Sequence, residues 1–273
     1  VRTVSGHRTG APGLEVERLR VTFGGHVAVA DASLAAPVGR ITGLIGPNGA
    51  GKTTTLNACT GLVRPTAGRI LLFGADVTGW RTSARARAGL GRTFQTPEVC
   101  AAMTVRENVA MGLEARWSGA NPLRQLVAGP GRRRAVAEEV DEALRACGIA
   151  ELADRAAAVL SAGQQRLVEL ARAVAGGFEV LLLDEPSSGL DEGETVRFGG
   201  ILVRLVAGGR RGILLVEHDI SLVMAVCDDI HVLDFGEMIF AGTPDETRAS
   251  PVVRAAYLGP DRDEAGAAGG RRR

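Results

Sequence analysis

The segment "ITGLIGPNGAGKTTTLNACTGL", Ile41 to Leu62, constrains the fold more than any other part of the chain. A short apolar run at Ile41–Ile45 leads into glycine-rich sequence, and a helix-forming run follows and stops at Gly61. The middle fits G-x-x-x-x-G-K-[ST], with Gly46, Gly51, Lys52 and Thr53 in the fixed positions. Glycines here let backbone N–H groups curl around phosphate oxygens, and the helix that follows offers its positive N-terminus to the same anion. The lysine of such a loop reaches the β- and γ-phosphates, and the threonine hydroxyl ligates Mg²⁺. A chance glycine-rich turn is the competing reading. Composition weighs against it: of the 32 basic residues Lys52 is the only lysine, so an accidental turn in this chain would read Gly-Arg. A compact ammonium on a flexible stem fits a pocket closed by backbone, whereas a planar guanidinium is wider.

Other stretches repeat the alternation of buried strand and helix. "EVLLLDEP" and "GILLVEHD" are apolar runs that end in polar residues, with a helical pattern between them. Continuous apolar strands alternating with helices indicate an α/β fold with a parallel sheet. Ahead of the loop, "LEVERLRVTF" and "VAVADASLAAPVGRITGLIG" are short and β-branched, broken at Gly24-Gly25 and at Pro37-Val38-Gly39, and predict antiparallel strands. From about Thr96 to Ala175 the character turns helical, interrupted by the loop-like "WSGANPLRQLVAGPGRRR". Residues 1–13 read as a flexible arm and 259–273 as a disordered tail.

The acids and the histidine at the strand ends complete a candidate site. Asp184 suits Mg²⁺, and Glu185 suits an attacking water. "LSAGQQR" puts Ser161 and the following backbone at a helix N-terminus, a second anion site. His218 stands just beyond an apolar strand. Net charge is only +1, so no strong field favours nucleic acid. The four cysteines are scattered without metal spacing, which fits a reducing compartment. The N-terminus lacks a secretory apolar region, and no apolar run approaches the roughly 18 residues of a spanning helix. The expected place is the cytosol, which leaves docking to a membrane partner open.

In this order the motifs resemble the ATP-binding subunits of ATP-binding cassette (ABC) transporters, over about Leu14 to Leu258. The resemblance implies a P-loop NTPase with a RecA-like parallel core. It also implies an N-terminal antiparallel β subdomain and a helical subdomain inserted at about 96–175. It implies ATP and Mg²⁺ as the bound groups. Phe23 would stack on adenine, and the loop Gly46, Pro47, Asn48, Gly49, Ala50, Gly51, Lys52, Thr53 and Thr54 would wrap the phosphates. Gln95 in "GRTFQTPE" corresponds to the Q-loop glutamine, sensing metal and water together with Thr53 and Asp184. Glu185 would be the base or the water-orienting group, and His218 would touch the γ-phosphate. The signature motif corresponds to Ser161, Ala162, Gly163 and Gln164, with Ala162 where the commonest signature has a second glycine. Asp191 ends the D-loop "SSGLD". The family mechanism closes two such subunits head to tail around two ATP molecules, with a separate transmembrane permease pressing on the helical subdomain.

The sequence "TFQTPEVCAAMTVRENVAMG" and the terminal "AYLG" are similar to the subgroup serving branched-chain amino acid importers, which also use an extracytoplasmic binding protein. Subunits for urea or amide import and for lipopolysaccharide export share much of this pattern. A soluble cassette ATPase acting on DNA or ribosomes would show coiled-coil insertions or a basic face. A small-molecule kinase would have no use for "LSAGQ". The cluster Arg81, Arg85, Arg87, Arg92 reads as a solvated helix face.

Overall fold

The computed structural model describes residues 11–93, 98–118 and 130–258. Two long strands open it, β1 (Ala11–Phe23) and β2 (His26–Val38), paired antiparallel through the Gly24-Gly25 turn. The run Ile41–Ile45 forms β3, and β4 (Ala67–Leu72) and β5 (Ala75–Asp76) extend the antiparallel part on the far side of β1. The remaining strands are β6 (Leu90–Arg92), β7 (Val180–Asp184), β8 (Gly212–Val216), β9 (Asp229–Asp234) and β10 (Glu237–Gly242). All join one sheet in the order β5-β4-β1-β2-β10-β9-β3-β8-β7-β6. From β9 to β6 neighbouring strands are parallel, and β3 lies between β8 and β9 at the centre.

Every residue of β3, β7 and β8 is buried, as unbroken apolar runs require when both faces are covered. The side chains alternate between two cores. Ile41, Ile45, Leu181, Leu183, Ile213 and Leu215 face one, and Leu44, Leu182, Leu214 and Val216 face the other. Helix α1 (Lys52–Thr60) and the antiparallel strands cover the second face, with Leu56, Ala58 and Cys59 inside. Gly61, at φ 80°, ends α1.

The short helix α2 (Thr82–Arg87) precedes β6. A helical group follows: α3 (Val105–Ser118), α4 (Pro130–Ala146) and α5 (Ala162–Ala175), packed on one another. Val105, Val109, Val140, Leu144 and Val168 run from this group into the first core. Helix α6 (Glu192–Ala207) covers the same face through Phe198, Ile201 and Leu202, and α7 (Ile220–Val226) follows β8. Helices α8 (Pro244–Ala249) and α9 (Pro251–Leu258) finish the described chain. Buried Val253 on α9 belongs to the first core, and Tyr257 hydrogen-bonds the Gly46 backbone. Burial pushes the Tyr257 hydroxyl up to about 12, partly offset by that bond.

Two expectations change. The arm is shorter than residues 1–13, because β1 starts at Ala11, opposite Val38 of β2. Ladder pairing outweighs a local Ala-Pro-Gly composition that reads as loop. The arginine cluster is not one solvated face. Arg81 and Arg87 are exposed, but Arg85 is 1% exposed and donates to the carbonyls of Ala58 (2.6 Å) and Cys59 (2.7 Å) at the end of α1. Arg92 lies on β6 and is buried against Asp184. The expected tail 259–273, most of the arm and the middle of the interrupted helical stretch lie outside the described residues. All four cysteines are free thiols, and burial raises those of Cys59 and Cys147 to about 12.

Candidate active site

The site forms where the central parallel strands end. Gly46, at φ 153°, carries the chain out of β3 so close to β9 that a Cβ would collide with the Leu233 carbonyl oxygen. Gly51, at φ 102°, sits where a Cβ would lie 2.6 Å from the Ala28 carbonyl oxygen. Backbone on both sides leaves room only for glycine, so the loop forms a cradle pressed against β2 and β9. The loop closes on itself through Ala50 N–H to the Pro47 carbonyl, and the Gly236 N–H donates to the Ala50 carbonyl. Asn48 and Gly49 are exposed at the rim, and Thr54 lies half-buried on the first turn of α1.

Lys52 is 7% exposed, and its Nζ donates to the carbonyls of Gly46 (2.6 Å) and Pro47 (2.9 Å). Burial lowers its pKa, and the carboxylates of Glu185 and Asp184 oppose that shift. The electrostatics therefore set two acids beside the buried Lys52 ammonium at the loop. Thr53, beside Lys52, is exposed. Asp184 ends β7 and is 6% exposed, with Oδ2 taken by Arg92 Nη2 at 2.8 Å. The hydroxyl of Thr53 and the carboxylate of Asp184 are hard oxygen donors suited to Mg²⁺, which is held by few protein ligands together with phosphate oxygens. Gln95 lies outside the described residues.

Glu185 follows with φ 47°, a left-handed backbone for a non-glycine residue. The bonds from Glu185 N–H to Val216 and from Ser188 N–H to Glu185 hold it there. His218 Nδ1 is 3.7 Å from Glu185 Oε2, too long for a direct hydrogen bond. Phe23 is 49% exposed beside the Gly24-Gly25 turn, a free aromatic face on β1.

The signature turn starts α5, whose Arg166 donates to the Ser188 carbonyl at 2.9 Å in the loop after Glu185. Ser161 caps α5 in a reciprocal capping box with Gln164, and both make their bonds within that turn. Ala162 is exposed, so its methyl crowds nothing in this chain. Gly163 is the constrained position: a Cβ there would meet Glu194 Oε1 at 2.8 Å and Leu190 Cδ2 at 3.0 Å. Asp191 caps α6 in a second capping box, with Glu194.

Three side chains of the site escaped sequence reasoning. Glu217, 0% exposed, accepts from the N–H of Ser187 (2.8 Å) and of His218 (3.1 Å), tying the loop after Glu185 to the histidine. Asn57 accepts from Arg92 Nη1 at 2.6 Å. Arg92 thus bridges α1 and β7.

The ABC transporter family pattern matches residues 29–188. A high-affinity branched-chain amino acid transport ATP-binding protein, BraF of Pseudomonas aeruginosa, is 38% identical over 251 residues, covering 91% of this chain and 98% of that protein. The chain belongs to the ABC transporter family. It is an ATP-binding, ATP-hydrolysing member. Similarity extends to the LivG protein of Escherichia coli, which carries the same functional description, at 39% identity with 91% and 98% coverage. The lipopolysaccharide export ATP-binding protein LptB of Acidithiobacillus ferridurans is 35% identical, with 90% and 96% coverage. Among solved structures, the ADP conformation of an ATP-binding cassette of an ABC transporter superposes with TM-score 0.79 at 30% identity, covering 91% of this chain and 99% of that one. Among the described residues, no helix is long and apolar enough to cross a membrane.

Proposed function

We propose that this chain is the ATPase subunit that energises import of branched-chain amino acids through a separate permease. Residues 11–258 form the cassette, and about 96–175 its helical subdomain. The carrying observation is the convergence of Lys52, Asp184, Glu185 and His218 at the strand ends, with Ser161 and Ala162 exposed. Exposed signature residues suit a site completed by a second copy. Lys52 exchanges the Gly46 and Pro47 carbonyls for β- and γ-phosphate oxygens, and the N–H groups from Gly46 to Thr54 hold the rest of the chain of phosphates. Phe23 stacks on adenine. Thr53, Asp184 and Gln95 would hold Mg²⁺, which when bound would neutralise phosphate charge. Glu185 takes a proton from water as its oxygen attacks the γ-phosphorus and ADP leaves, and His218 fixes the γ-phosphate and the Glu185 geometry. Ser161, Ala162, Gly163, Gln164 and Asp191 of the second copy close over the nucleotide. The subunit sits at the cytoplasmic face, coupled through the permease to an extracytoplasmic binding protein, and binds no nucleic acid.

The names of BraF and LivG support the amino acid reading. The similarity to LptB favours lipopolysaccharide export as the second reading, at lower identity. Glu185→Gln should keep ATP binding and accumulate an ATP-bound dimer on size exclusion, and hydrolysis at the wild-type rate would remove Glu185 from its role. Deletion should abolish uptake of leucine, isoleucine and valine where no redundant importer exists. Normal uptake of all three rules out the import reading.

A further inference from the structure

Arg92 does something in this site that the P-loop, acid and histidine roles leave unassigned. It ends β6, paired with Leu182 of β7 two residues before Asp184. Its Nη2 donates to Asp184 Oδ2 at 2.8 Å, and Nη1 donates to Asn57 Oδ1 at 2.6 Å. Both side chains of the ion pair are 8% exposed. A buried carboxylate without a cation is costly, and a guanidinium fork fits two acceptors on different elements. Asn57, on α1, holds one arm of the fork and points the other at the acid.

We propose that Arg92 is a positioning residue for Asp184 that acts as the acid's counter-cation until metal arrives and so sets how much Mg²⁺ the nucleotide site requires. The inference rests on the nucleotide-site reading above. Its chemistry runs in two directions. Without metal, Arg92 neutralises Asp184, and the phosphates of an entering nucleotide do not meet that acid as a bare carboxylate. With metal, the cation shares Asp184 with a guanidinium already bonded to Oδ2, which weakens the pull of Asp184 on it. Arg92 therefore favours metal-free nucleotide and opposes metal. Asn57 prevents the guanidinium from simply following the phosphate.

The test measures binding alone, with no turnover. A fluorescent ADP analogue is titrated into full-length wild type and variants in EDTA, then at fixed nucleotide against Mg²⁺. Arg92→Met removes the charge at similar length. Arg92→Gln does the same while keeping a donor toward Asp184, and serves if the methionine variant fails to fold. Arg92→Lys restores charge without the fork. The neutral variants should bind metal-free ADP more weakly and reach half-saturation at a Mg²⁺ concentration lower by roughly tenfold. Arg92→Lys should return metal-free binding to near the wild-type value. A merely structural role would move the melting temperature and leave the ratio of affinities with and without Mg²⁺ unchanged. That unchanged ratio in a folded neutral variant, or failure of lysine to restore metal-free binding, overturns the proposal. Failure of wild type to bind the analogue at all would instead overturn the nucleotide site itself.

Discussion

Arg85→Met isolates the work of a buried guanidinium far from the chemistry. Arg85 donates to the carbonyls of Ala58 (2.6 Å), Cys59 (2.7 Å), Thr78 (2.9 Å) and Trp80 (3.2 Å). The first two are buried at the C-terminal end of α1, where the helix dipole is negative. A hydrogen bond from a charged donor contributes about 1.5–3 kcal/mol, so losing these two costs about 3–6 kcal/mol. Ala58 keeps the Gly61 N–H as a donor, and removing the guanidinium relieves its own burial cost. The net loss should be about 2–4 kcal/mol. In a domain of this size that lowers the melting temperature by roughly 4–15 °C. Arg85→Lys keeps a cation and should recover part of the loss, because an ammonium cannot also reach across to Thr78 and Trp80. Thermal melts of wild type and both variants, with and without ATP, measure this directly. A methionine variant within about 1 kcal/mol of wild type would refute the capping argument.

Amine-reactive labelling has Lys52 and the chain's amino terminus as its targets, since no other lysine exists. Mg-ATP should protect Lys52 and leave the terminus labelled as before, and Lys52→Arg should lose most ATPase activity while melting like wild type. Unprotected Lys52, or normal hydrolysis by Lys52→Arg, would make the lone lysine an accident of composition. In the signature turn, Gly163→Ala should weaken ATP-dependent association, because the methyl must push aside the Glu194 and Leu190 side chains. Ala162→Gly should change activity less than threefold or so, its methyl being exposed. The reverse ranking by size exclusion and phosphate release would show that residue 162 carries the constraint.

The parts of this site that can be read from sequence are those whose chemistry is local. Gly46 to Thr53 act within one turn of chain, Asp184 and His218 follow apolar runs that announce strands, and Ser161 with Gln164 spell a helix start. The arm boundary was less visible, because β1 begins at Ala11 only by virtue of a partner strand. Side chains whose partners lie far along the chain carry no such mark. Arg85 finds Ala58 across 27 positions, Ser187 finds Glu217 across 30, and Arg92 finds Asp184 across 92. An i, i+4 spacing such as Arg81–Arg85 looks the same whether the helix face is wet or buried against the end of α1.

That distance in sequence also explains the uneven use of the basic residues. Arg85 and Arg92 each join acceptors on separate elements, and a planar fork with several donors does this while remaining charged under burial. Lys52 has the opposite task. Its acceptors, Gly46 and Pro47, belong to a single loop, and it must trade them for a ligand's oxygens when phosphate enters. A flexible stem with one small charged end can make that exchange inside a cradle where even a Cβ on Gly46 or Gly51 has no room. Fixed bridges in the body of the cassette therefore select arginine, and the exchangeable contact at the phosphate loop selects lysine.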